Sequence, residues 1–228
     1  EISDYLQTPL GGRDIIQFPN GNLFVRLHSS ARGQDVYVIQ TTGQPVNDNL
    51  MELLITLQTL KLDSAARITA VVPYLCYSRS DKKDQPRVPI TARLVADMIE
   101  AAGADRYVTI DLHAGQIQGF FSIPGDVLTA YHMVSDYFRA KLSQMKDPVI
   151  VTADFGFAKK GRNFAAKLNA PMAFVEKRRI GNDSTAEAMS VIGDVDGKDV
   201  IIVDDEVDTA GTVCEAAQIV RAHGAREV

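Results

Sequence analysis

The chain has 228 residues, 46% of them hydrophobic and 23% charged, which places it in the ordinary globular range and outside the disordered one. Its 24 Lys and Arg against 29 Asp and Glu leave a formal charge of −5, so nonspecific attraction to nucleic acid or an anionic membrane is excluded and any bound anion must meet a local site. Cys76 and Cys214 have neither a metal-type spacing nor the density of a disulfide framework, and no apolar run approaches the roughly 20 residues of a membrane span, so a soluble, cytoplasmic protein is expected.

Residues 1–6 already carry helix-like apolar spacing, and residue 1 is Glu. Residues 225–228 follow a helical pattern and a Gly and read as the start of a strand, so the chain is expected to be truncated at both ends. The alternation of Leu23, Val25 and Leu27 beside Asn20-Gly21 predicts an antiparallel ribbon with a hairpin turn. Short apolar runs at 36–39, 68–72, 107–110, 149–151 and 200–203 then alternate with helical spacing at 49–60, 91–102, 130–142, 162–168 and 212–222. This is the pattern of an α/β fold with mainly parallel sheets flanked by helices. Turn chemistry at Ser122-Ile123-Pro124-Gly125-Asp126 sets an expected boundary between a domain of residues 1–125 and a second of residues 126–228.

The strongest local feature is the run from Val200 to Thr212, in which a buried strand leads into Asp204-Asp205-Glu206-Val207-Asp208 and then into Thr209-Ala210-Gly211-Thr212 and a helix. Paired carboxylates at a strand end accept hydrogen bonds from vicinal sugar hydroxyls, while hydroxyls and amides at a helix start receive a phosphate. The same carboxylates can instead hold a loop or a metal; the small, hydroxylated turn that follows favours a sugar phosphate.

This loop resembles the phosphoribosyl-diphosphate signature of type I phosphoribosyltransferases. The stretch Asp111 to Phe121 (DLHAGQIQGFF), Asn47 to Leu53 (NDNLMEL) and Arg87 to Ala92 (RVPITA) resemble segments of a narrower family, the ribose-phosphate diphosphokinases, and the resemblance runs in register from about Leu10 to the last residue. It implies two tandem phosphoribosyltransferase-like domains, the second incomplete. It also implies transfer of the diphosphate of ATP to the anomeric hydroxyl of ribose 5-phosphate, with Mg²⁺, in a homo-oligomer that the family suggests is a hexamer.

Several site residues follow from the resemblance. Lys177 and Arg179, in the run Glu176-Lys177-Arg178-Arg179, are the implied catalytic cations, with Arg179 also meeting ribose 5-phosphate beside Asp204, Asp205, Asp208, Thr209, Ala210, Gly211 and Thr212. His113 and Asp154, each following a strand pattern, are the implied metal residues, and His113 also lies near the ATP phosphates. Arg79, Ser80 and Asp81 match the ATP loop, and Phe18, Asn20, Gly21 and Asn22 match the adenine loop, which in the family serves a neighbouring subunit.

The chain departs from the family pattern at five positions. Ser80 stands where Gln is usual, Asn20 and Asn22 where Asp and Glu are usual, Phe157 where a second Gly is usual, and Glu206 where an apolar residue is commoner. None removes a named catalytic group. Two other readings are a different phosphoribosyltransferase, which has no need of the Asp111 to Phe121 stretch, and a noncatalytic regulatory subunit, which loss of the cations or metal residues would favour.

Overall fold

Asn20 and Gly21 turn the chain between two antiparallel strands, Arg13–Gln17 (β1) and Leu23–Leu27 (β2), and Gly21 takes the positive φ of 86° that this turn requires. A single helical turn, Ile2–Leu6 (α1), precedes them. The computed structural model describes residues 1–153, 156–179 and 187–228, with backbone placement alone for 177–179 and 187–189. These residues form two units, Glu1–Thr129 and Ala130–Val228.

The first unit is built on four parallel strands lying in chain order: Asp35–Ile39 (β3), Arg67–Val72 (β4), Arg106–Ile110 (β5) and Gly125–Leu128 (β6). Val46–Leu62 (α2) links β3 to β4, and Thr91–Ala102 (α3) links β4 to β5. Leu50, Leu53, Leu54, Leu57 and Leu60 give α2 one continuous buried stripe at helical spacing, and they pack with Ile68, Ala70 and Val72 of β4. Because the strands are parallel, the loops after β3, β4 and β5 leave from the same edge of the sheet, the edge where open α/β sheets bind ligands.

The second unit carries Tyr131–Lys141 (α4), Val149–Thr152 (β7), Ala158–Leu168 (α5), Met172–Arg179 (β8), Glu187–Ile192 (β9), Val200–Val203 (β10) and Gly211–Ala222 (α6). Its sheet order is β10-β7-β8-β9, parallel except for the antiparallel edge strand β9. All four residues of β7 are buried, as the apolar run predicts for a strand covered on both faces.

Two elements differ from the reading of the sequence. The helix expected at 162–168 begins at Ala158, because Gly161 lies against β7: a Cβ there would fall 2.3 Å from Cγ2 of Thr152, so the glycine is a close contact and not a break. The expected domain boundary between 125 and 126 falls inside β6, which pairs with β5 residue by residue from Tyr107 and Gly125 onward. Beyond the named strands, a parallel bridge joins Asp199 to Glu227.

Candidate active site

In the first unit the loop after β4 is fastened at several points. The Thr42 hydroxyl, fully buried in the loop after β3, donates to the Tyr74 carbonyl (2.6 Å) and accepts from the Cys76 amide (2.8 Å). Burial pushes the Cys76 thiol pKa up, so this cysteine is a packing residue. Tyr77 takes a left-handed backbone (φ 59°), and its hydroxyl donates to Oδ1 of Asn47 at 2.5 Å. Arg79 is exposed between the buried Ser78 and Asp81.

The neighbours of Arg79 face inward. The Ser80 hydroxyl accepts from the Thr91 amide at 3.2 Å, and its carbonyl accepts from the Ala92 amide at 3.1 Å. Helix α3 has no capping side chain of its own at Ile90, so Ser80 satisfies two of its first amides. The carboxylate of Asp81, only 6% exposed, accepts from Nε2 of Gln116. Ser80 and Asp81, expected at the nucleotide, are therefore engaged with α3 and with the loop after β5.

That second loop begins at Asp111, whose backbone is left-handed (φ 45°) and whose carboxylate accepts from the Thr129 hydroxyl at 2.7 Å. Leu112 and Ile117 are buried, and His113 between them is half-buried. A short 3-10 turn, Gly115–Phe120, carries Gln116, a residue to which the sequence motif had lent no role. Its only signal in the sequence is an amide three positions beyond the candidate metal histidine.

The loop expected to meet adenine is the β1–β2 turn. Phe18 is 44% exposed with its ring centroid 6.2 Å from that of Phe24, and the Asn20 side-chain oxygen accepts from the Asn22 amide at 3.1 Å. Asn20, Gly21 and Asn22 are all exposed.

In the second unit, β10 pairs with β7 up to Val203 and Thr152, so the loop starting at Asp204 leaves the sheet at the end of β7 from which residue 154 follows. Asp154 itself lies outside the described residues, as do the side chains of Lys177 and Arg179, whose backbones belong to the end of β8. Asp204 and Asp205 are half-buried, and the Asp204 carboxylate accepts from the Asp205 amide at 2.9 Å. Asp208, Thr209, Gly211 and Thr212 are exposed. Ala210 takes a left-handed backbone (φ 60°) to open α6, and no side chain caps that helix. An exposed turn of hydroxyls running into an uncapped helix start, below half-buried carboxylates, is an arrangement that accommodates a phosphate and a sugar together.

The chain matches the family model described as the N-terminal domain of ribose phosphate pyrophosphokinase over residues 1–103, and the phosphoribosyl transferase domain model over residues 130–228. It is 47% identical over 228 residues to the ribose-phosphate pyrophosphokinase of Wolinella succinogenes, covering all of this chain and 73% of the relative. The chain belongs to the ribose-phosphate pyrophosphokinase family. The pyrophosphokinase of Caldanaerobacter subterraneus subsp. tengcongensis is 50% identical over 228 residues, covering all of this chain and 72% of that protein. The crystal structure of the phosphoribosylpyrophosphate synthetase from Mycobacterium smegmatis superposes with a TM-score of 0.92 at 40% identity, over 99% of this chain and 73% of that one. The pyrophosphokinase N-terminal match contains the Arg79 loop and the β1–β2 turn, and the phosphoribosyl transferase match contains the Asp204–Thr212 loop.

Among the described residues, no helix is long and apolar enough to cross a membrane. No group of three or more His, Cys, Asp or Glu among them is placed to hold a metal ion.

Proposed function

We propose that this chain transfers the diphosphate of ATP to ribose 5-phosphate, forming phosphoribosyl diphosphate and AMP. The anomeric oxygen bonds to the β-phosphorus, the bond from that phosphorus to the oxygen bridging the α and β positions breaks, AMP leaves with that oxygen, and the hydroxyl proton is released. The observation that carries the reading is the 47% identity over the whole chain to curated ribose-phosphate pyrophosphokinases, in which both domains take part. Neither a different phosphoribosyltransferase nor a noncatalytic subunit is favoured by relatives of that name.

The chemistry fits the residues. Asp204, Asp205 and Asp208 accept hydrogen bonds from the sugar, while Thr209, Ala210, Gly211 and Thr212 bring hydroxyls and backbone amides to the 5-phosphate at the start of α6. Displacement at phosphorus builds charge on oxygens that are already anionic, so positioning and cationic stabilisation supply most of the rate. Lys177 is the group that meets the transferring diphosphate, with Arg179, two residues on at the end of β8, also on the sugar phosphate. Arg79 and His113 receive the ATP phosphates in residues 1–125, and residues 126–228 hold the sugar phosphate. Phe18, Asn20, Gly21 and Asn22 meet adenine.

His113 and Asp154 are proposed to hold Mg²⁺. One imidazole and one carboxylate suit an ion that keeps most of its positions for water and phosphate oxygen. Bound there, the ion neutralises charge on the transferring diphosphate. The exposed Phe18 and Phe24 on the ribbon support a homo-oligomer in which this loop serves a neighbouring copy, a hexamer by family resemblance. Cys76 and Cys214 are free thiols, which suits a cytoplasmic location.

The test is to mix the full-length protein with ATP, Mg²⁺ and ribose 5-phosphate and identify the nucleotide product. AMP is expected. ADP identifies an ordinary kinase and overturns the proposal.

A further inference from the structure

We propose that Gln116 and Asp81 are a positioning pair that sets the loop carrying Arg79 against the loop carrying His113. The inference rests on the assignment of Arg79 and His113 to the ATP phosphates. Strands β4 and β5 are adjacent and parallel, so both loops leave one edge of the sheet, but backbone pairing between the strands stops at Val72 and Thr109. Beyond that point side chains must set the distance between the two loops.

Asp81 is buried, and a buried carboxylate is unfavourable unless a donor meets it. Gln116 supplies that donor across 35 residues of sequence. Each end of the contact is itself anchored. Ser80, next to Asp81, holds the first amides of α3, and Ile117, next to Gln116, is fully buried in the core of the unit. On the far side of His113, Asp111 is fixed by the Thr129 hydroxyl and by its own amide, which donates to the Leu128 carbonyl at 3.0 Å. Arg79 and His113 thus project from loops that the amide–carboxylate contact joins, beside the shared packing of Leu75 and Cys76 with Leu112 and Ile117. Gln116 touches no reacting atom in this reading. Its effect passes through the two residues that it aligns.

Alignment errors on the order of 1 Å remote from the chemistry cost about 100-fold in rate. Gln116→Ala is therefore expected to lower kcat/KM for ATP by about 10- to 100-fold while the KM for ribose 5-phosphate stays within about twofold. Gln116→Glu sets two carboxylates against each other and is expected to be at least as damaging. Adding Asp81→Asn to Gln116→Glu exchanges donor and acceptor across the same contact, and is expected to recover most of the lost ATP efficiency.

The experiment measures steady-state kinetics for both substrates, equilibrium ATP binding and thermal unfolding for the full-length parent and the four variants Gln116→Ala, Gln116→Glu, Asp81→Asn and the double exchange. Selective loss for ATP with recovery in the double exchange supports the proposal. Unchanged ATP kinetics in Gln116→Ala, equal losses for both substrates, or no recovery in the double exchange overturns it. If a single variant does not fold, the double exchange alone decides: parent-like ATP binding supports the pair, and a defect selective for ATP overturns it. A parent that binds ATP without forming AMP refutes the proposed function separately, and the ATP-binding arm then decides the pairing.

Discussion

The hydroxyl oxygen of Ser80 lies 3.2 Å from the amide nitrogen of Thr91, the first residue of α3, and so meets a helix from 11 residues upstream. The first four amides of a helix have no acceptor within it, and the residue in the capping position, Ile90, has no polar side chain to offer. The residue that departs from the resembled pattern's usual Gln thereby caps α3.

Ser80→Ala is expected to cost about 0.5–2 kcal/mol of stability, the usual range for loss of a capping side chain. Urea unfolding of parent and variant measures it. An unchanged midpoint shows that water caps the helix equally well.

Gly125 opens β6 opposite Tyr107 of β5, and a Cβ there would lie 2.0 Å from the tyrosine ring. The ring has little room to yield: it is 4% exposed and stacks on Phe121 with centroids 3.8 Å apart. Gly125→Ala is expected to cost about 1–3 kcal/mol, as overpacking a filled core does. Thermal unfolding checks it, and a parent-like midpoint means that β6 shifts without penalty.

Asp199 is 2% exposed and receives Nε of Arg226 at 2.6 Å and the Lys146 amide at 2.8 Å. The hydrogen bonds from Arg226 hold its carboxyl below the usual carboxylate value, outweighing the opposite push of burial, and the Lys146 amide assists. Because the folded-state value is lowered, this carboxylate stabilises the fold fully above the unfolded value of about 3.9, and the contribution is lost as pH falls through the lower folded value. Asp199→Asn is expected to melt below the parent near neutrality, with the gap narrowing as pH falls below the unfolded value of about 3.9. A gap independent of pH assigns the effect to packing alone.

Lys177→Ala is expected to lower turnover about 100-fold or more, while ATP binding weakens less, since its charge acts on oxygens that become more negative in the transition state. Single-turnover kinetics beside equilibrium ATP binding separates the two effects. Turnover near the parent level returns Lys177 to the status of a solvated surface charge.

The apolar runs at 36–39, 68–72, 107–110, 149–151 and 200–203 were legible as parallel strands; burial on both faces holds throughout for 149–151, whereas 36–39 forms the edge strand β3, where Tyr37 and Ile39 are exposed. Helix α3 was legible over its full span, since its buried Val95, Ala96 and Ile99 recur at helical spacing. The Asp204–Thr212 loop was legible for a related reason: strand, carboxylates, hydroxyls and helix start are contiguous in the chain. Strands β6 and β9 were not. β6 exists because the edge of β5 offers unpaired backbone groups to whatever segment returns beside it, and its own four residues, Gly125–Leu128, have no strand-like run. Ser80 on α3 and Gln116 on Asp81 join residues 11 and 35 positions apart, and no local period records such a contact. Composition and periodicity report which faces are buried; which polar side chain satisfies a given buried amide or carboxylate is decided only when the loops of neighbouring parallel strands are brought to one edge of the sheet.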